Sequence, residues 1–131
     1  MSDRKISDRT KDLIAVRALI ADPDNWLKNM LWAKGQHMYQ NCEIREATRF
    51  CIRGAFVKIY YDRGHRSYND ELRYLNYLSQ FLPKDVSWQL IGDASWRHTI
   101  DFNNRCTHKD IIALLDRAIA ASVITDQEET V

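Results

Sequence analysis

Only four glycines and two prolines punctuate a chain of 131 residues. Turn-rich all-β architectures need more of both, so the scarcity favours long helices joined by few sharp turns. The length suits one domain with one core, large enough to stand without a metal or disulfide staple. Hydrophobic residues at 45% and charged ones at 28% are globular proportions, which exclude disorder along most of the chain. The expected fold is mainly α: a single small domain of about four helices. An aromatic-rich irregular segment, with room for a short hairpin, completes it. Residues 7–124 form the expected ordered core, and 1–6 and 125–131 are expected to fray.

Helical spacing places the first helix over Asp8 to Ala21, with Leu13, Val16, Leu19 and Ile20 on its inner face. Asp22-Pro23 ends it, because the residue before proline leaves the α region. From Trp26 to Tyr39 the short apolar runs fit a helix or a strand equally well. A second helix is predicted from Asn41, its cap, to Tyr61, with Gly64 as a left-handed stop. Gly54 inside it costs about 1 kcal/mol against alanine, which the close approach of another backbone would offset. The third helix spans Asn69 to Phe81 and stops before Pro83. Residues 84 to 106 show no sustained period. Thr107 and Asp110 then form a capping-box-like start for a closing helix that buries Ile111, Leu114, Leu115 and Ala118.

No apolar run reaches the length of a signal peptide or membrane span, so a cytoplasmic chain without membrane contact is expected. Cys42, Cys51 and Cys106 are odd in number and lack framework spacing, which reads as free thiols. A net charge of +1 supplies no global field for nucleic acid. Four glycines build neither a P-loop nor a dinucleotide fingerprint, and no cofactor is expected.

Three constellations could carry function. Cys51, His98 and Asn103 (or Asp101) stand in the chain order of a thiol hydrolase, in which a base must deprotonate the sulfur. Against that, the predicted second helix puts Cys51 two turns inside an apolar stripe, so a core cysteine is the favoured reading and no catalytic residue is favoured. His37 with Cys42 and Cys106 with His108 lack the four-ligand spacing of structural zinc, so no metal is expected. Arg45, Arg49 and Arg53 repeat every four residues and would line one helix face. Residues 45 to 73 hold seven Lys/Arg against four Asp/Glu, with Tyr60, Tyr61 and Tyr68 interleaved. Arginine beside tyrosine suits an acidic protein surface or, as an alternative, nucleic acid. Trp88, Trp96 and Phe102 read as core filling.

Phe50-Cys51-Ile52-Arg53-Gly54-Ala55, then Phe102-Asn103-Asn104, then Thr107-His108-Lys109-Asp110-Ile111 resemble, in that order, an uncharacterised family of small bacterial and phage domains of unknown function. The resemblance spans roughly residues 10 to 120 and implies one domain, with no functional residue to carry over. The reading of function is therefore a small cytoplasmic interaction protein that binds another macromolecule, a protein by preference, through Arg45, Arg49, Arg53, Tyr60 and Arg66. The alternatives are a hydrolase or transferase using Cys51 and a nucleic-acid-binding protein.

Overall fold

A computed structural model describes residues 6–34, 42–64, 70–83 and 95–129. Five α-helices form within them: α1 (Asp8–Leu19), α2 (Ile52–Asp62), α3 (Asp70–Ser79), α4 (Ser95–Arg105) and α5 (His108–Glu129). A small antiparallel sheet pairs β1 (Trp32–Ala33) with β2 (Arg49–Phe50), placing Trp32 opposite Phe50 and Ala33 opposite Arg49. The mainly helical, single-domain fold is the one expected. Among the described residues no helix is long and apolar enough to cross a membrane.

The outer helices start where local chemistry tells them to. The Ser7 hydroxyl accepts the Thr10 N–H at 3.2 Å, satisfying one of the donors that the first turn of α1 leaves open. Asp22 accepts the Asp24 N–H at 2.9 Å and Pro23 opens a short 3-10 turn, which stops the chain from continuing as helix. At α5 the box is reciprocal: Thr107 Oγ1 accepts the Asp110 N–H at 3.2 Å, and Asp110 accepts the Thr107 N–H at 3.1 Å. Helix α5 packs on α1, α3 packs on α4, and α2 touches both α1 and α3. Leu13, Val16, Ile52, Phe56, Leu75, Leu78, Ile111 and Leu114 meet between them, all fully buried.

Helices α1 and α3 end two residues earlier than expected, and three departures are larger. The second helix starts at Ile52 instead of Asn41, which lies outside the described residues. A 3-10 turn (Ile44–Glu46) and β2 precede it, burying Ala47 and Phe50 by a winding path whose spacing imitates a helix. Residues 95–105, expected to be irregular, are helical. The chain past Ile124 stays helical to Glu129. The hairpin considered for residues 84–106 falls partly outside the described residues. Trp88 and the Asn69 cap also lie outside them.

Residues 26–33 form a strap across the start of α2. Leu27 N–H donates to the Phe50 carbonyl at 2.9 Å, and Cys51 N–H to the Leu31 carbonyl at 3.1 Å. The close approach anticipated at Gly54 is this one: an added β-carbon would overlap the Leu31 carbonyl oxygen and lie 2.7 Å from its carbon. Gly64 ends α2 with φ 79°, the left-handed conformation that glycine adopts without strain.

Candidate functional site

Two members of the thiol constellation, Cys51 and Asn103, are committed to structural contacts. Cys51 caps α2 and is buried, its Sγ accepting the Gly54 N–H at 3.3 Å. Burial pushes the thiol above its ordinary value, against smaller opposing effects from the Gly54 and Arg53 backbone N–H groups. Asn103 is 1% exposed and has no capacity left to orient a base. Its Oδ1 accepts from Trp26 Nε1 at 2.8 Å and Ile52 N at 3.1 Å, while Nδ2 donates to the Leu27 carbonyl at 3.0 Å and Asn104 Oδ1 at 3.2 Å. His98 is half-buried on α4. We expect Cys51 to resist iodoacetamide in the native protein at about pH 8 and to react only after unfolding. Native alkylation of Cys51 at a free-thiol rate, read by peptide mass spectrometry, would contradict this.

Among the described residues no group of three or more His, Cys, Asp or Glu side chains could hold a metal ion. Cys106 is buried, its thiol pushed up to about 11 by desolvation and, secondarily, by Asp110. His108 Nε2 is spent on the Ile20 carbonyl at 2.7 Å. His37 lies outside the described residues.

The arginine row is broken up. Arg45 sits in the 3-10 turn, exposed, paired with Glu43 at 2.7 Å. Arg49, on β2, donates to the Asp24 carbonyl at 2.8 Å. Arg53, on α2, pairs with buried Glu71 at 3.2 Å and lies 5.8 Å from the Trp96 ring centroid. They do not share a helix face, because no helix joins them. Arg66 lies outside the described residues.

Tyr60 instead belongs to a cleft of about 830 Å³ bounded by α1, the end of α2 and α3. Asp8, Arg9, Lys11 and Asp12 line it from α1, Tyr60 and Arg63 from the end of α2, and Arg73, Tyr74 and Tyr77 from α3. Asp12 is 3% exposed and holds the corner together, accepting from Arg63 Nη1 and from the Tyr74 hydroxyl at 2.6 Å. Tyr74 stacks on Phe56 with centroids 5.1 Å apart and tilts against Tyr60 at 6.1 Å. Burial, then Tyr60 and Asp8, push the Tyr74 phenol up to about 12, so it remains a proton donor to Asp12. Lys11 and Arg73 are exposed and form no ion pair among the described residues.

The α1 wall is anchored from behind by α5. Arg9 reaches over the Tyr77 ring at 5.4 Å and donates through Nε to Ser122 Oγ at 2.8 Å. Asp126 accepts from the Thr10 hydroxyl at 2.6 Å and the Ser7 N–H at 3.1 Å, and its Oδ1 lies 3.5 Å from Arg9 Nη2. The Thr10 hydroxyl, then Ser7 and Arg9, hold the Asp126 carboxyl below its ordinary 3.8 despite burial. A carboxyl depressed on folding adds stability above its unfolded pKa, and that contribution is lost as pH falls through the folded one. Chemical denaturation should therefore show stability falling below about pH 4, with Asp126→Asn less stable at neutral pH and flatter in acid. Identical acid slopes for the two proteins would contradict the clasp.

A sequence profile of DUF6197, described as a family of unknown function, matches residues 8–121. The chain belongs to this family. No curated protein and no solved structure matches it. The DUF6197 match takes in every described residue that lines the cleft, together with Gly54 and Asn103, and ends at residue 121, just before Ser122. Of the lining residues, Tyr60, Arg63 and Arg73 fall within the basic, tyrosine-bearing stretch of residues 45 to 73 that the sequence marks, and Tyr74 and Tyr77 follow directly after it. Sequence reasoning missed Arg9, Lys11 and Asp12, because in sequence they are simply the wet face of α1.

Proposed function

We propose that this DUF6197 chain is a non-catalytic interaction protein of the bacterial or phage cytoplasm. It docks an acidic segment of a protein partner in the cleft between α1, α2 and α3. The observation that carries the reading is a pair of exposed cations, Lys11 and Arg73, without ion pairs among the described residues and beside a wall of tyrosines. Unpaired cations invite an anion, while tyrosine and arginine supply contact area that holds a partner once docked. Single-stranded nucleic acid uses similar chemistry, but a net charge of +1 gives it no long-range attraction.

The test uses a fluorescein-labelled decaglutamate peptide followed by anisotropy. Binding should weaken as salt is raised, since the contacts are exposed. The double variant Lys11→Glu/Arg73→Glu should weaken it by at least about tenfold. Arg45→Glu, on an exposed pair away from the cleft lining, should bind like the parent protein. Undiminished binding by the double variant would remove the cleft from consideration.

A further inference from the structure

We infer that the anion this cleft takes is a phosphate, carried on a tyrosine side chain of the protein partner. The inference rests on the cleft being the docking surface proposed above, and it follows from which groups there are still uncommitted. Both Asp12 oxygens are spent, one on Arg63 and the other on the Tyr74 hydroxyl. Arg9 is drawn back toward Ser122 and Asp126. A ligand therefore meets the Lys11 ammonium from α1 and the Arg73 guanidinium from α3, beside an Arg63 guanidinium engaged with Asp12 through Nη1, with Asp8 as the remaining exposed carboxylate on the wall.

That set is rich in donors and poor in acceptors. A carboxylate carries one charge and two oxygens, which a single guanidinium fork satisfies. A phosphate monoester carries about −1.5 to −2 charge and three strong acceptor oxygens. It has enough of both to engage a fork from one helix and an ammonium from another together. Asp8 repels any anion, so the advantage goes to the group that holds both cations at once. The neighbouring surfaces are the rings of Tyr60, Tyr74 and Tyr77, against which a phenyl ring packs and a serine methylene does not. A volume of about 830 Å³ leaves room for residues flanking a phosphotyrosine.

The experiment compares three labelled peptides of one neutral sequence whose central residue is phosphotyrosine, glutamate or tyrosine. Adenosine monophosphate serves as a competitor. The phosphotyrosine peptide should bind at least about tenfold more tightly than the glutamate peptide. Lys11→Gln and Arg73→Gln should each weaken it by about tenfold while leaving the unfolding midpoint unchanged, because both side chains are exposed. Equal binding of the phosphotyrosine and glutamate peptides overturns the phosphate inference and leaves acidic docking standing. Binding of decaglutamate without the phosphopeptide does the same. Displacement by adenosine monophosphate at lower concentration than the phosphopeptide requires overturns the protein source in favour of a nucleotide. Failure of every peptide, decaglutamate included, overturns both readings.

Discussion

Replacing Gly54 by alanine should destabilise the protein by about 3 kcal/mol, measured by urea unfolding. Helix propensity alone argues the opposite sign: alanine for glycine is worth about 1 kcal/mol in a helix interior and no more than that at Gly54, the third residue of α2. Packing wins because the new methyl meets backbone, not a side chain that could turn aside. It overlaps the Leu31 carbonyl oxygen, the same atom that accepts the Cys51 N–H at 3.1 Å. Relieving the overlap means lifting the strap from α2, which breaks that hydrogen bond and loosens the β1–β2 pairing beside it. A Gly54→Ala protein as stable as the parent would show that the strap does not press on α2.

Asn103→Ala should cost about 3–5 kcal/mol, because it strands several buried groups at once, each worth about 1–3 kcal/mol when unsatisfied. The indole N–H of Trp26, the backbone N–H of Ile52 and the Leu27 carbonyl all lose their partner. The Ile52 N–H belongs to the first residue of α2, so the side chain from α4 acts as its cap across the core. Asn103→Asp separates the two halves of the role. It keeps an acceptor for Trp26 and Ile52 but loses both donors and buries a charge, so it too should be destabilised. A loss below about 1 kcal/mol in Asn103→Ala would mean that water replaces the amide.

The contrast between what was legible and what was not follows from the range of the interactions. Helices α1 and α5 could be placed closely because their signals are local: Pro23 after one, the Thr107–Asp110 box before the other. The start of α2 could not, because periodicity reports burial and not conformation. Ala47, Phe50 and Cys51 are buried by a 3-10 turn and a strand as thoroughly as a helix would bury them. Helix α4 was hidden for a different reason. Its inner face includes Thr99 and Asn103, polar residues that blur an apolar stripe. Both are satisfied across the core, Thr99 by the Leu75 carbonyl at 2.7 Å and Asn103 by the strap. The cleft was half visible, as a basic and tyrosine-rich stretch. Its other wall is brought in by the packing of α1 on α2, a tertiary event with no mark in the local sequence.

The most direct test of acidic docking in the cleft is a two-dimensional ¹H–¹⁵N titration of the labelled protein with decaglutamate. Docking in the cleft should give shift changes concentrated at Lys11, Tyr60, Arg63, Arg73 and Tyr77, where three helices bring cations and tyrosines together. Changes centred on Arg45, Arg49 and Arg53, or no saturable changes at all, would contradict it.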